Sequence, residues 1–158
     1  MEAQPGARVH VGLTSVTRSS RGSVSGSIWL AGSEAGVAFP EVEWVDFPIA
    51  LLAAWIPALI RVSTRGQTAE CHFMEGPYRF TVATSDSQLW RVACFETREA
   101  PSSSNAVIEW FTTPDVFLDS AFFASRALLG YCDARQWWND DTEWLRTALA
   151  FADPERAS

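Results

Sequence analysis

Lysine is absent from this chain, and all 12 of its basic residues are arginine. Its cationic groups are therefore planar, forked donors and not ammonium point charges. The base composition of a gene can produce the same bias. Cysteine is scarce and odd in number, at Cys71, Cys94 and Cys132. Three cysteines far apart in sequence make no disulfide framework. Each lies among apolar neighbours, so buried, reduced thiols and a cytoplasmic setting are expected. Histidine occurs only at His10 and His72, and neither C-x-x-C nor H-x-x-x-H spacing is present. No metal site is expected from such a set.

Phosphate-binding and nucleophile motifs are missing as well. Gly22, Gly26, Gly32 and Gly36 are spaced for turns and strands, not for a glycine-rich loop opening a helix. The run Gly22-Ser23-Val24-Ser25-Gly26 puts Val24 where a nucleophile elbow needs serine. No cofactor is expected. The longest apolar stretch, Phe47 to Ile60, has 14 residues, whereas a bilayer span takes about 20. The start, MEAQPGARVHVG, lacks the basic end and apolar run of a signal peptide. A buried helix and no membrane partner are the expectation.

What is present suits one domain. The chain has 158 residues, 47% hydrophobic and 20% charged, enough to bury a sizeable core without staples. The domain is placed at residues 8–152, with 1–7 and 153–158 as loose ends. Eight Trp and ten Phe against two Tyr imply an aromatic-rich core or an adhesive face. The net charge of −7 repels nucleic acid and favours a basic protein partner.

Alternation of apolar and polar residues marks strands. Val9, Val11 and Leu13 form one such face. Val24, Gly26, Ile28 and Leu30 form a second, making a hairpin across Arg18–Gly22. Gly36–Phe39 is a short third strand stopped by Pro40. Asp46 is placed as the N-cap of a helix whose rows are Phe47, Leu51, Trp55, Leu59 and Leu52, Ile56, Ile60. Pro57 should kink it, and Gly66 should end it. Four more strands follow, at Glu70–Met74, Tyr78–Ala83, Leu89–Glu96 and Ala106–Phe111, with a loop over Arg98–Asn105. After Thr113-Pro114-Asp115 the period becomes helical, with Phe117, Ala121, Ala124, Leu128 and Tyr131 on one stripe to about Arg135. A last helix starts with a capping box of Asp140 and Glu143, and Trp144, Leu145, Ala148 and Leu149 face the core. The fold class is α+β: a mostly antiparallel sheet of about seven strands with three helices packed on it, two of them C-terminal.

The chemistry-bearing residues are few. Cys71 and His72 adjoin, but successive strand side chains point to opposite faces, so they cannot form a catalytic pair. Glu41 and Glu43 share a face if the segment is extended. Asp140, Asp141 and Glu143 cluster at a helix start, where acids serve as caps and dipole partners. No catalytic residue is assigned. Between Arg21 and Arg61 there are four carboxylates, Glu34, Glu41, Glu43 and Asp46, and no Lys or Arg. Phe39 and Trp44 are interleaved. Acids around aromatics have the composition of a protein-binding edge, so Glu34, Phe39, Glu41, Glu43 and Trp44 are the candidate partner-binding residues. An ordinary solvated loop around a core Trp has the same composition.

Two stretches carry a family likeness. Cys71-His72-Phe73-Met74-Glu75-Gly76-Pro77-Tyr78-Arg79-Phe80 and Trp137-Trp138-Asn139-Asp140-Asp141 resemble segments of small bacterial proteins encoded beside toxin genes. In general shape the chain is similar to immunity proteins of polymorphic and contact-dependent toxin systems. The resemblance implies a non-enzymatic binder that occludes the active site or substrate groove of a basic toxin domain. It carries over no functional residue and implies no particular fold. The competing readings are a small carboxylate-dependent hydrolase, and a structural or adaptor subunit of a larger assembly.

Overall fold

The computed structural model describes residues 6–97 and 105–152. The placements of residues 1–5, 98–104 and 153–158 lie outside the described residues. Among the described residues, eight strands and three helices follow in the order four strands, one helix, four strands and two helices. β1 (Arg8–Arg18) and β2 (Val24–Ala31) form the expected hairpin. β3 (Ala38–Phe39) and β4 (Val45–Asp46) pair successively with the other edge of β2, at Leu30–Ala31 and at Gly26–Ser27. The helix α1 (Pro48–Arg65) follows. β5 (Ala69–His72), β6 (Arg79–Thr84), β7 (Trp90–Phe95) and β8 (Ile108–Thr112) then make an antiparallel meander. The helices α2 (Pro114–Arg135) and α3 (Asp140–Ala152) complete the domain.

The α+β class holds, but the single sheet does not: there are two antiparallel sheets of four strands. α1 separates them in sequence and packs against both β2 and β5–β6, as well as against α2 and α3. Its length and mean hydropathy of 1.2 would suit a membrane span, but most of its large apolar side chains pack against these neighbours. Trp55, Ile56 and Leu59 are essentially inaccessible. Pro48 occupies the first turn, where its missing N–H costs nothing. Gly66 adopts a left-handed φ of 64° and returns its N–H to the Val62 carbonyl, ending the helix as expected.

Aromatic rings join the layers. Edge-to-face contacts run from Phe39 to Phe73, Trp55, Phe80, Phe117 and Trp90, with Trp55 centred 5.1 Å from Phe73 and 4.9 Å from Phe80. This path crosses from β3 through α1 and β6 to α2 and β7. The Trp55 indole N–H donates to the His72 carbonyl at 3.0 Å, so the buried ring leaves no orphan donor. Trp110 closes the opposite side by seating against Gly32, where an added Cβ would lie 2.7 Å from its Nε1.

Hydroxyl groups repair the irregularities of the first sheet. β1 bulges between Gly12 and Thr17. The Ser15 hydroxyl fills the gap, accepting from the Ser27 N–H at 2.8 Å and donating to the Gly12 carbonyl at 2.6 Å. Ala7, expected in a loose end, is buried, and its carbonyl accepts from the Thr112 hydroxyl.

Two helix-start readings need correction. Asp46 is not the N-cap of α1; that position is Phe47, with no side-chain cap. At α3 the reciprocal box lies one residue earlier than Asp140–Glu143. The Asn139 carboxamide accepts from the Thr142 N–H, and the Thr142 hydroxyl accepts from the Asn139 N–H. Asn139 also donates to the Gly22 carbonyl, tying the helix to the first hairpin.

Trp144, expected in the core, is 64% exposed. The buried stripe of α3 is Thr142, Leu145 and Leu149, and a residue next to Leu145 is turned about 100° away from it. Trp144→Ala should therefore change stability by less than about 1 kcal/mol, whereas Leu145→Ala should cost about 2–5 kcal/mol. Urea unfolding of the two variants checks both; equal losses would show that Trp144 carries the docking of α3.

Candidate functional site

The acidic edge is built on the connection between β3 and β4. The chain leaves the buried Phe39 and turns, with the Trp44 N–H donating to the Glu41 carbonyl. Glu43 takes a left-handed φ of 60°, a conformation that costs a non-glycine residue about 1–2 kcal/mol. The Trp44 carbonyl then accepts from the Ile28 N–H at 2.8 Å, and the chain enters β4. Glu41 and Glu43 are thus exposed on a turn, not side by side on an extended strand.

Asp46 is the organising group of this turn. It is buried, and its carboxylate accepts three N–H donors: the Phe47 amide at 2.7 Å, the Trp44 indole at 3.1 Å and the Glu75 amide at 3.1 Å. The last bond latches the loop to the turn between β5 and β6. Gly76 in that turn has φ 71°, and an added Cβ would meet the Tyr78 ring at 2.8 Å. The Tyr78 ring in turn packs edge-on against Trp44, centroids 5.1 Å apart.

The latch brings together residues from two distant stretches. Val42 (58% exposed) comes from the first and Met74 (53%) from the second, whereas Val45, also 58% exposed, adjoins Asp46 on β4 and points to the opposite face of the strand. Glu41 and Glu43 of the first turn and Glu75 of the second are exposed as well. Exposed apolar side chains and carboxylates on two joined turns have the composition of a recognition surface.

Of the five residues expected at a partner-binding edge, Glu41 and Glu43 are exposed there. Trp44 is half-buried, its ring against Tyr78 and its N–H held by Asp46. Phe39 is 2% exposed and packs on Phe73 and Tyr78, so it supports the edge from below and cannot touch a partner. Glu34 is exposed but belongs to a different turn, between β2 and β3. Val42, Met74 and Glu75, exposed on the same two turns, are not singled out by the sequence pattern. An exposed valine looks like a strand residue in sequence, and Met74 and Glu75 belong to a turn that meets the first through the Asp46 bond and the Trp44–Tyr78 contact.

The other groups considered are dispersed. Cys71 is buried on β5 while His72 is exposed, as strand alternation requires, and His72 Nε2 meets Glu70 at 2.9 Å. Burial pushes all three thiols up, away from the reactive thiolate. Among the described residues no His, Cys, Asp and Glu group could hold a metal ion. Asp140 and Asp141 lie in a shallow recess with Arg21 and Trp144. Burial, helped by Asp140, raises the Asp141 carboxyl above its ordinary range. Both acids sit in the first turn of α3, favourable to the helix dipole.

Compared with known families, curated proteins and solved structures, the chain matches no family model, no curated protein and no solved structure.

Proposed function

We propose that this chain is a non-enzymatic, immunity-type binding protein that acts in the bacterial cytoplasm. It neutralises a cognate toxin by covering the active site or substrate groove of a basic toxin domain. One observation carries the reading: two turns with the exposed Val42, Met74, Glu41, Glu43 and Glu75 are tied together by the buried Asp46 carboxylate. A surface fixed before binding loses little entropy on association. Its one-signed charge steers an oppositely charged protein toward it.

Co-expression with the reading frame beside its gene, followed by purification of the complex, tests this function. The expected result is a stable complex and protection of the host cell; a toxic neighbour unaffected by the chain would overturn it. In the purified complex, Glu41→Arg with Glu43→Arg should slow association at least about tenfold at low salt. The difference should shrink as salt shortens the Debye length to about 8 Å and below. Stopped-flow rates at two ionic strengths give the answer. Equal rates for variant and wild type at both would remove the acidic edge from the interface.

A further inference from the structure

On another face, α1 and α3 leave an open groove of about 730 Å³ between them. Small side chains contribute to its lining, Ala53 and Pro57 from α1 and Ala148 from α3, beside Ile60. Trp144 and Phe151, 64% and 90% exposed, line it from α3. They are seven residues apart and so share a helix face. Among the described residues, the charged side chains of the lining are Arg61 and Arg65, one turn apart on α1, and none is a carboxylate. Neither arginine is engaged in an ion pair among the described residues. In a chain of net charge −7 this is a local reversal of sign. Pro57 has no N–H for the Ala53 carbonyl, so the lining also carries a backbone acceptor without its usual helical donor.

We propose that this groove docks an acidic amphipathic helix of a partner protein. From Ala53 to Arg65 the α1 wall runs about 18 Å, three helical turns. Small residues between two large rings leave holes for apolar knobs at three- and four-residue spacing, the way a helix lies in a groove. The two guanidiniums match carboxylates on the flank of such a helix. An anionic bilayer is a poorer occupant, because the whole chain repels it. A symmetric pair of copies is poorer too, because it places both arginine pairs in one interface.

The test uses the full chain and a fluorescein-labelled model helix of about four turns, with Leu at three- and four-residue spacing and Glu elsewhere. A twin carries Lys in place of Glu. Overall charge alone predicts that the Lys twin binds better. The groove predicts the reverse, a preference of at least about tenfold for the Glu helix in anisotropy titrations. Amide shift changes should fall on residues 53–65 and 144–152. R61E with R65E should reverse the preference, and Trp144→Ala should weaken the Glu helix without unfolding the protein. Equal or tighter binding of the Lys twin, or an unchanged preference in the double variant, overturns the proposal. Trp144-dependent binding to phosphatidylglycerol vesicles overturns it in favour of lipid. A dimer that Trp144→Ala dissolves, seen by sedimentation velocity, overturns it in favour of self-pairing. None of these results bears on the acidic edge.

Discussion

Trp55→Ala should be among the most destabilising single substitutions in this protein, costing about 3–5 kcal/mol. The indole is 1% exposed and lies between Phe73 and Phe80, so its removal opens a cavity where α1 meets the second sheet. The His72 carbonyl loses its donor at the same time. Neighbouring rings are large and edge-packed, and they cannot collapse into the space without breaking their own contacts. A loss of this size takes a large share of the roughly 5–15 kcal/mol that holds a domain together. Trp55→Phe should recover much of the packing but not the hydrogen bond, and should fall between. Denaturant unfolding of both variants checks the order. A Trp55→Ala midpoint close to wild type would mean that the two sheets are joined elsewhere.

The second large effect is expected at Asp46. Asp46→Ala leaves three N–H groups without their shared acceptor, at Phe47, Trp44 and Glu75. A buried donor left unsatisfied costs about 1–3 kcal/mol, and bonds to a charged acceptor lie toward the upper end. Water will reach part of this turn once the latch opens, so the total should be about 3–5 kcal/mol. Asp46→Asn keeps a single carbonyl oxygen and turns one acceptor into a donor aimed at other donors, so its shape gives little rescue. What separates this variant from Trp55→Ala is locality. Exchange of the Glu75 amide should speed up, while the core of β6 and β7 keeps its protection once the difference in stability is allowed for. Unaltered Glu75 exchange in Asp46→Ala would show that the two turns are held together without the carboxylate.

Much of the architecture was legible because local periodicity dictates it. The hairpin of β1 and β2, the meander from β5 to β8 and the long α2 all follow from spacing two or spacing 3.6. Periodicity assigns strands but not partners, so the division into two sheets was not legible. β4 is two residues long, too short to show alternation at all. At the start of α3, Asp140 and Glu143 reproduce the spacing of the true pair, Asn139 and Thr142, so spacing alone points one residue too late. Trp144 was placed inside because it adjoins Leu145, and hydrophobicity alone does not tell neighbouring faces of a helix apart.

The candidate edge was half legible for a related reason. Charge accumulation located Glu41 and Glu43 directly. It could not show that Phe39 points inward, because an apolar ring among acids has the same composition whether it supports a loop or meets a partner. Nor could it bring in Glu75, whose tie to Asp46 spans 29 residues. The legible hint was Asp46 itself. An aspartate between a tryptophan and a helix start was read as a cap, although its geometry serves the loop before the helix and a turn far along the chain.

The central claim is that the acidic edge is the surface that meets the toxin. Amide hydrogen exchange of the free chain and of its complex with the co-expressed partner measures this most directly. Protection gained on binding should concentrate in residues 41–46 and 73–78, the two turns joined by Asp46. Unchanged exchange in both turns, with new protection around Asp140 and Asp141 instead, would contradict the claim and move the interface to the start of α3.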